Sequence, residues 1–232
     1  MLWQFRQVLG EFIKNPRLRS GPKDVAVYEG LNLIGDRDIE WGYIATRLGR
    51  YAAPGATIMD FGCERGVLTC AAAQVGARVL AIDLQEQSMS IIHPSVEFRV
   101  MDVMSLDENN SFDLIINCST IEHVGLAGRY ESPDFRDGDL AAMCRLRKAM
   151  KPQGVMLLTL PMGVDDVCAP LHRIYGEVRL PKLLDGYQVT DEMYWVKNAG
   201  NKWMPCAREQ ALSERGNEHY YALGCMTLNK TL

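Results

Sequence analysis

The chain has 232 residues, 47% of them apolar, and a formal net charge of −4. That is enough apolar material to bury a sizeable core in one domain with a decorated edge, and the acidic balance gives no general electrostatic reason to hold nucleic acid, whose binding rests on neutralising phosphates. The seven cysteines, Cys63, Cys70, Cys118, Cys144, Cys168, Cys206 and Cys225, are odd in number, scattered and never spaced C-x-x-C. They read as reduced thiols of a cytoplasmic protein rather than as a disulfide frame or a zinc site.

Residues 1–36 read as an N-terminal unit, an amphipathic helix followed by a loop. Leu2, Phe5, Leu9, Phe12 and Ile13 recur at helical spacing, and Arg6, Lys14, Arg17, Arg19 and Lys23 outnumber Glu11. The apolar run is too short for a signal peptide or a membrane span. A basic amphipathic helix of this kind can make peripheral contact with the cytoplasmic face of a membrane. Packing on its own domain or on a second subunit is the alternative that the pattern leaves open. Gly21-Pro22, Gly30 and Gly35 then mark a loop.

Residues 37–232 read as one further domain. The stretch DRDIEWGYIATRLGRYAAPG places Ile39, Tyr43, Ile44 and Leu48 on one helical face, with Gly49 and Pro54 as stop signals. ATIMDFGCERG follows: a short buried strand ending at Asp60, a turn built on Gly62 and Gly66, and then the alanine-rich helix VLTCAAAQVGA. Strand, glycine turn and helix bring backbone close to a ligand and aim free helical N–H groups at a negative group. The dinucleotide fingerprint G-x-G-x-x-G fails at Glu64 and Val67, and Val67-Leu68 after Gly66 excludes a phosphate-cradling Gly-Lys-Ser/Thr loop.

Arg78–Asp83 is a second strand ending in an acid, and Asp83 lies 23 residues beyond Asp60. That is close to the spacing at which a carboxylate accepts from both ribose hydroxyls of a nucleoside ligand. Val96–Val100 is a third strand, and SFDLIINCSTIEH a fourth, with Asn117 and Cys118 at its carboxyl end. Asp139 reads as the N-cap of a helix from Leu140 to Met150. The acids Asp134, Asp137 and Asp139 lack EF-hand spacing and fit a turn plus helix cap, so no metal is expected. Val155–Leu160 is a fifth strand, Arg179–Leu184 a short helix, Tyr187–Val196 a sixth strand, and Tyr220–Leu228 the last, with NAGNKWMPC as a hairpin-like connection. Alternating strands and helices predict an α/β fold with a mostly parallel sheet covered on both faces.

The turn resembles the first motif of class I S-adenosylmethionine-dependent methyltransferases: Asp60, Gly62, Cys63 and Gly66 match it, and Glu64 replaces its usual middle glycine. The wording STIEHVGLAGRY, GDL, KPQGVMLLTLPMG and HRIYGEVRLPKLLDGY is similar to a branch of that class associated with surface-glycan or secondary-metabolite methylation. The resemblance spans roughly residues 37–228 and implies a Rossmann-like fold with an antiparallel end strand and S-adenosyl-L-methionine as cofactor. It implies cofactor contacts from Asp60, Gly62, Cys63, Gly66, Asp83 and Leu84, from Asp102 and Val103 at the adenine, and from Asn117. It also suggests that the helix carrying Arg37, Glu40 and Trp41 covers the cofactor.

Ligands of open parallel sheets lie beyond the carboxyl ends of the strands. Of four histidines, His123 follows the fourth strand and His172 the fifth, whereas His93 and His219 fall elsewhere in the pattern. An imidazole can take a hydroxyl proton near neutral pH. His123 is the favoured base, with Glu122 as an alternative carboxylate and His172 as a second candidate. Arg173, Arg129 and Tyr130 are candidates for placing a small-molecule or glycan acceptor. The expected reaction is methyl transfer to a hydroxyl. Methylation of an amine, and a non-catalytic protein that keeps the fold for a partner, are the alternatives. Asn117-Cys118-Ser119-Thr120 is not the Asn/Asp-Pro-Pro-Tyr/Phe signature of amino-directed nucleic-acid enzymes.

Overall fold

The computed structural model describes residues 36–86, 93–128 and 134–231. The expected N-terminal helix and loop, and the candidates Arg129 and Tyr130, lie outside the described residues. Helix α1 (Asp36–Tyr51) leads into β1 (Thr57–Phe61), α2 (Val67–Gln74), β2 (Arg78–Asp83), β3 (Val96–Val100) and β4 (Phe112–Cys118). Next come α3 (Gly138–Ala149), β5 (Met150–Met162), a small hairpin of β6 (Asp166–Cys168) and β7 (His172–Ile174), and α4 (Arg179–Leu183). The chain closes with β8 (Tyr187–Lys197), β9 (Trp203–Cys206), α5 (Arg208–Ser213) and β10 (Ala222–Lys230). No helix among the described residues is long and apolar enough to cross a membrane.

The main sheet runs β3-β2-β1-β4-β5-β10-β8-β9. The first five strands pair in parallel, and β10 pairs antiparallel with both β5 and β8. This is the Rossmann-like arrangement with an antiparallel end. The strand order reverses between β1 and β4, which is the position beyond whose strand ends open α/β sheets bind their ligands.

Side chains alternate across the strands and build an apolar layer on each face. Ile58, Leu114 and Ile116 pack with Tyr43, Ile44, Leu48, Leu68 and Ala72 from α1 and α2. Met59, Ile115 and Met156 pack with Met143 and Leu146 of α3 on the other side. Continuous apolar runs in the central strands follow from burial on both faces.

Three expectations need correction. Gly49 does not end α1, which continues to Tyr51 because tertiary packing outweighs a weak stop signal. Asp139 is not a cap: α3 starts at Gly138 after Asp137, and Asp139 points inward, fully buried, where basic side chains receive it. NAGNKWMPC does form a hairpin, turning β8 into β9, but the short helix α5, which the sequence reading did not place, also stands between it and β10.

Candidate active site

At the end of β1 the backbone bends under three left-handed residues, Gly62 (φ 71°), Glu64 (φ 48°) and Gly66 (φ 76°). Gly62 and Cys63 both donate their N–H to the Ile82 carbonyl, at 2.9 and 3.2 Å. A Cβ on Gly62 would come within 2.3 Å of the Thr120 side chain, so only glycine lets the loops after β1 and β4 meet. Glu64 takes the backbone conformation of the glycine it replaces. Its side chain is exposed, with a carboxylate oxygen 4.0 Å from the Arg37 guanidinium. Its N–H donates to Asp83 Oδ2 at 3.1 Å, and Gln85 N–H donates to Oδ1.

Asp60 sits beneath this bend, 2% exposed, and accepts a hydrogen bond from Thr69 Oγ1 of α2 at 2.5 Å. Burial pushes its carboxyl up to about 6, with Asp83 adding to the rise and the Thr69 bonds opposing it. Because the folded-state value lies above the ordinary 3.8, neutral Asp60 favours the folded chain at low pH, and this contribution is lost as pH rises through 6. Relative to Asp60→Asn, ligand-free wild type is expected to lose roughly 2 kcal/mol of stability between pH 4 and 7. Urea unfolding of both proteins across that range measures it. A difference independent of pH would contradict the assignment.

The end of β4 carries a second polar cluster. Ser119 is held in the left-handed region (φ 49°), a strained conformation of the kind that gathers at functional sites. Its N–H donates to Thr159 Oγ1 at 3.1 Å, and that hydroxyl donates to Glu40 Oε1 at 2.8 Å. Glu40 is fully buried and receives the Arg37 guanidinium at 3.0 Å. Burial works against the charge on Arg37, yet Glu40 first, and then Glu64 and Glu122, hold it protonated. Ser119 Oγ donates to Glu122 Oε1 at 2.6 Å, and Glu122 is 1% exposed. His123 follows in the same short turn, Ile121–His123, with Nε2 3.8 Å from Glu122 Oε1. Its Nδ1 lies 2.5 Å from the Leu171 carbonyl. A carbonyl only accepts, so Nδ1 carries the proton and neutral His123 presents Nε2 as the basic nitrogen.

A family model described as "Caenorhabditis protein of unknown function, DUF268" matches residues 63–216. The chain is also 32% identical over 203 residues to a ubiquinone biosynthesis O-methyltransferase of Xanthomonas campestris, covering 78% of this chain and 79% of the relative. The chain is a class I S-adenosylmethionine-dependent methyltransferase of the DUF268 family. A probable S-adenosylmethionine-dependent methyltransferase of Mycolicibacterium smegmatis is 26% identical, over 78% of this chain and 74% of that protein. Among solved structures, a Burkholderia thailandensis 1,6-didemethyltoxoflavin-N1-methyltransferase bound to S-adenosylhomocysteine superposes with a TM-score of 0.60 at 19% identity, over 99% of this chain and 90% of that one. The N-methyltransferase NodS of Bradyrhizobium japonicum, also with S-adenosylhomocysteine, gives 0.58 at 13%, over 97% of each. These two likenesses are of fold.

The methyltransferase uses S-adenosyl-L-methionine, and its loops fit such a group. The bend at Gly62 admits no side chain, and β2 ends in the Asp83 carboxylate, a group able to accept from a ribose diol. Leu84 beside it is exposed. Asp102 accepts the Met104 N–H at 2.9 Å and caps a short turn over Val103–Ser105, in which Val103 is buried. Among the described residues no group of three or more His, Cys, Asp or Glu side chains is arranged to hold a metal ion.

Other expected site residues are buried within the protein's own packing. Asn117 is fully buried on the α3 side, its amide N–H against the sulfurs of Met143 and Met156 at 3.7 and 4.0 Å. It stands one residue before Cys118, and adjacent strand residues face opposite sides. His172 is buried with its ring edge-on to Tyr221 at 5.1 Å. Arg173 is 1% exposed and gives its guanidinium to backbone carbonyls, which removes it from any acceptor. His219 is exposed and precedes β10, whose first residue Ala222 pairs with Met162, so it lies at the same sheet edge as His123. Pattern reading sets it aside because it precedes a strand rather than following one. Ser119, Thr120 and Thr159 were missed altogether. Glu40 carries a readable signal: an acid one turn before Ile44 and two before Leu48, within an apolar stripe.

Proposed function

We propose that this methyltransferase transfers a methyl group to a hydroxyl of a sugar, a glycan or a related hydroxylated metabolite, with His123 as general base. The observation that carries the reading is the Leu171 carbonyl at His123 Nδ1, which puts the ring proton on Nδ1 and makes Nε2 the basic nitrogen, in the turn that follows β4. S-adenosylmethionine supplies the methyl group. The chain's own contribution is to bring the acceptor oxygen into line with it, and to receive the hydroxyl proton at Nε2. Glu122, held by Ser119, favours the imidazolium that forms.

The cofactor-binding set in this reading is Asp60, Gly62, Cys63 and Gly66 around the bend, Asp83 with Leu84 at the ribose, and Asp102 with Val103 at the base. Support for oxygen as the acceptor atom comes from the relative named for O-methylation in ubiquinone biosynthesis.

The test is to incubate the protein with S-adenosylmethionine and three acceptor sets, methyl glycosides and short glycans, catechols, and primary amines, and to measure the mass gain of each. A one-methyl gain on a sugar hydroxyl is expected. A gain on catechols alone would move the acceptor to an aromatic diol, and a gain confined to amines would overturn the oxygen reading.

A further inference from the structure

Arg173 is among the largest fully buried side chains of the described residues, and its placement is specific. Nη1 donates to the carbonyls of Glu122 (3.3 Å) and Val124 (2.6 Å), and Nη2 to that of Arg136 (3.2 Å). Its Nε lies 3.8 Å from Asp139 Oδ2. Two residues earlier, Leu171 offers its carbonyl to His123 Nδ1. The segment 171–173 therefore grips His123 twice, at the ring through Leu171 and through the backbone on either side by way of Arg173.

We infer that Arg173 is a positioning residue that fixes the orientation of His123 by clasping the carbonyls on both sides of it. The inference rests on His123 being the base. A buried ion pair is weak evidence for stability, because its desolvation offsets its attraction. A buried guanidinium spread over three carbonyls does something an apolar side chain cannot: its rigid planar fork sets the spacing of the backbone it holds. Lysine, a compact point charge on a flexible stem, reproduces the charge without that spacing. Arg145 supplies an internal comparison, since it clasps the Leu106 and Glu108 carbonyls of a different loop.

The experiment is nitrogen-15 NMR of the histidine rings in the full chain, with the His123 signals assigned through His123→Gln. In wild type a single neutral tautomer with the proton on Nδ1 is expected. In Arg173→Met, and in Arg173→Lys should the first variant fail to fold, both tautomers should be populated. Exchange of the Nδ1 proton should also speed up by about tenfold. Arg145→Met should leave the His123 signals as in wild type. Unchanged His123 signals in Arg173→Lys would overturn the inference. An equal disturbance from Arg145→Met would also overturn it, by making the effect one of general loosening. Failure of the base reading shows up separately, as undiminished methyl transfer by His123→Ala, and does not alter the tautomer result.

Discussion

His123→Ala is expected to lower the rate of methyl transfer at saturating cofactor by about a hundredfold to ten-thousandfold, with the affinity for S-adenosylhomocysteine unchanged. The side chain is only partly exposed, its Nδ1 is committed to the Leu171 carbonyl, and its Nε2 lies 3.8 Å from Glu122 Oε1. Removing the ring removes the proposed proton acceptor and leaves the bend at Gly62 and the Asp83 carboxylate in place. Single-turnover transfer to the acceptor identified by mass gain, together with calorimetry for the cofactor product, separates the two effects. Turnover within about threefold of wild type would exclude His123 as the base.

The second large effect is on stability. Asp139→Ala is expected to destabilise the fold by about 3–5 kcal/mol. Asp139 is fully buried and accepts from Arg179 Nε at 2.8 Å, from Arg179 Nη2, and from Tyr175 Oη at 3.0 Å, with Arg173 Nε 3.8 Å away. Without the carboxylate, a fully buried guanidinium loses its counter-charge and a buried phenol loses its acceptor. The comparable bond from an exposed pair such as Arg99–Glu97 contributes far less, because water screens it. Urea unfolding measures the change as a shift in midpoint at constant slope. A loss below about 1 kcal/mol would mean that neighbouring groups already balance the two arginines.

The parallel half of the sheet was legible because its central strands are buried on both faces and read as near-continuous apolar runs, while the half-exposed edge strand Val96–Val100 reads by alternation. Arg78–Asp83 and Val96–Val100 were bounded to the residue. The glycine bend was equally plain, since Gly62 and Gly66 must adopt positive φ. Glu64 was harder: sequence shows a missing glycine, and only the structure shows a glutamate taking the left-handed conformation with an exposed side chain. Asp139 misled because an acid before an apolar helix looks like a cap, and nothing local reveals that Arg173 and Arg179, some forty residues on, will meet it. The same holds for Ser119 and Thr159. Their roles arise where β4 and β5 come side by side, and that pairing is a property of topology, not of spacing.

The measurement that bears most directly on the account is calorimetric titration of S-adenosylhomocysteine into wild type and Asp83→Ala. Asp83 is the carboxylate that the loop after β1 presents at the end of β2, oriented by the Glu64 and Gln85 N–H groups. Loss of charge-assisted bonds to the ribose should weaken binding by about ten- to a hundredfold. Equal affinity in the two proteins would place the nucleoside away from this strand end and contradict the site described for it.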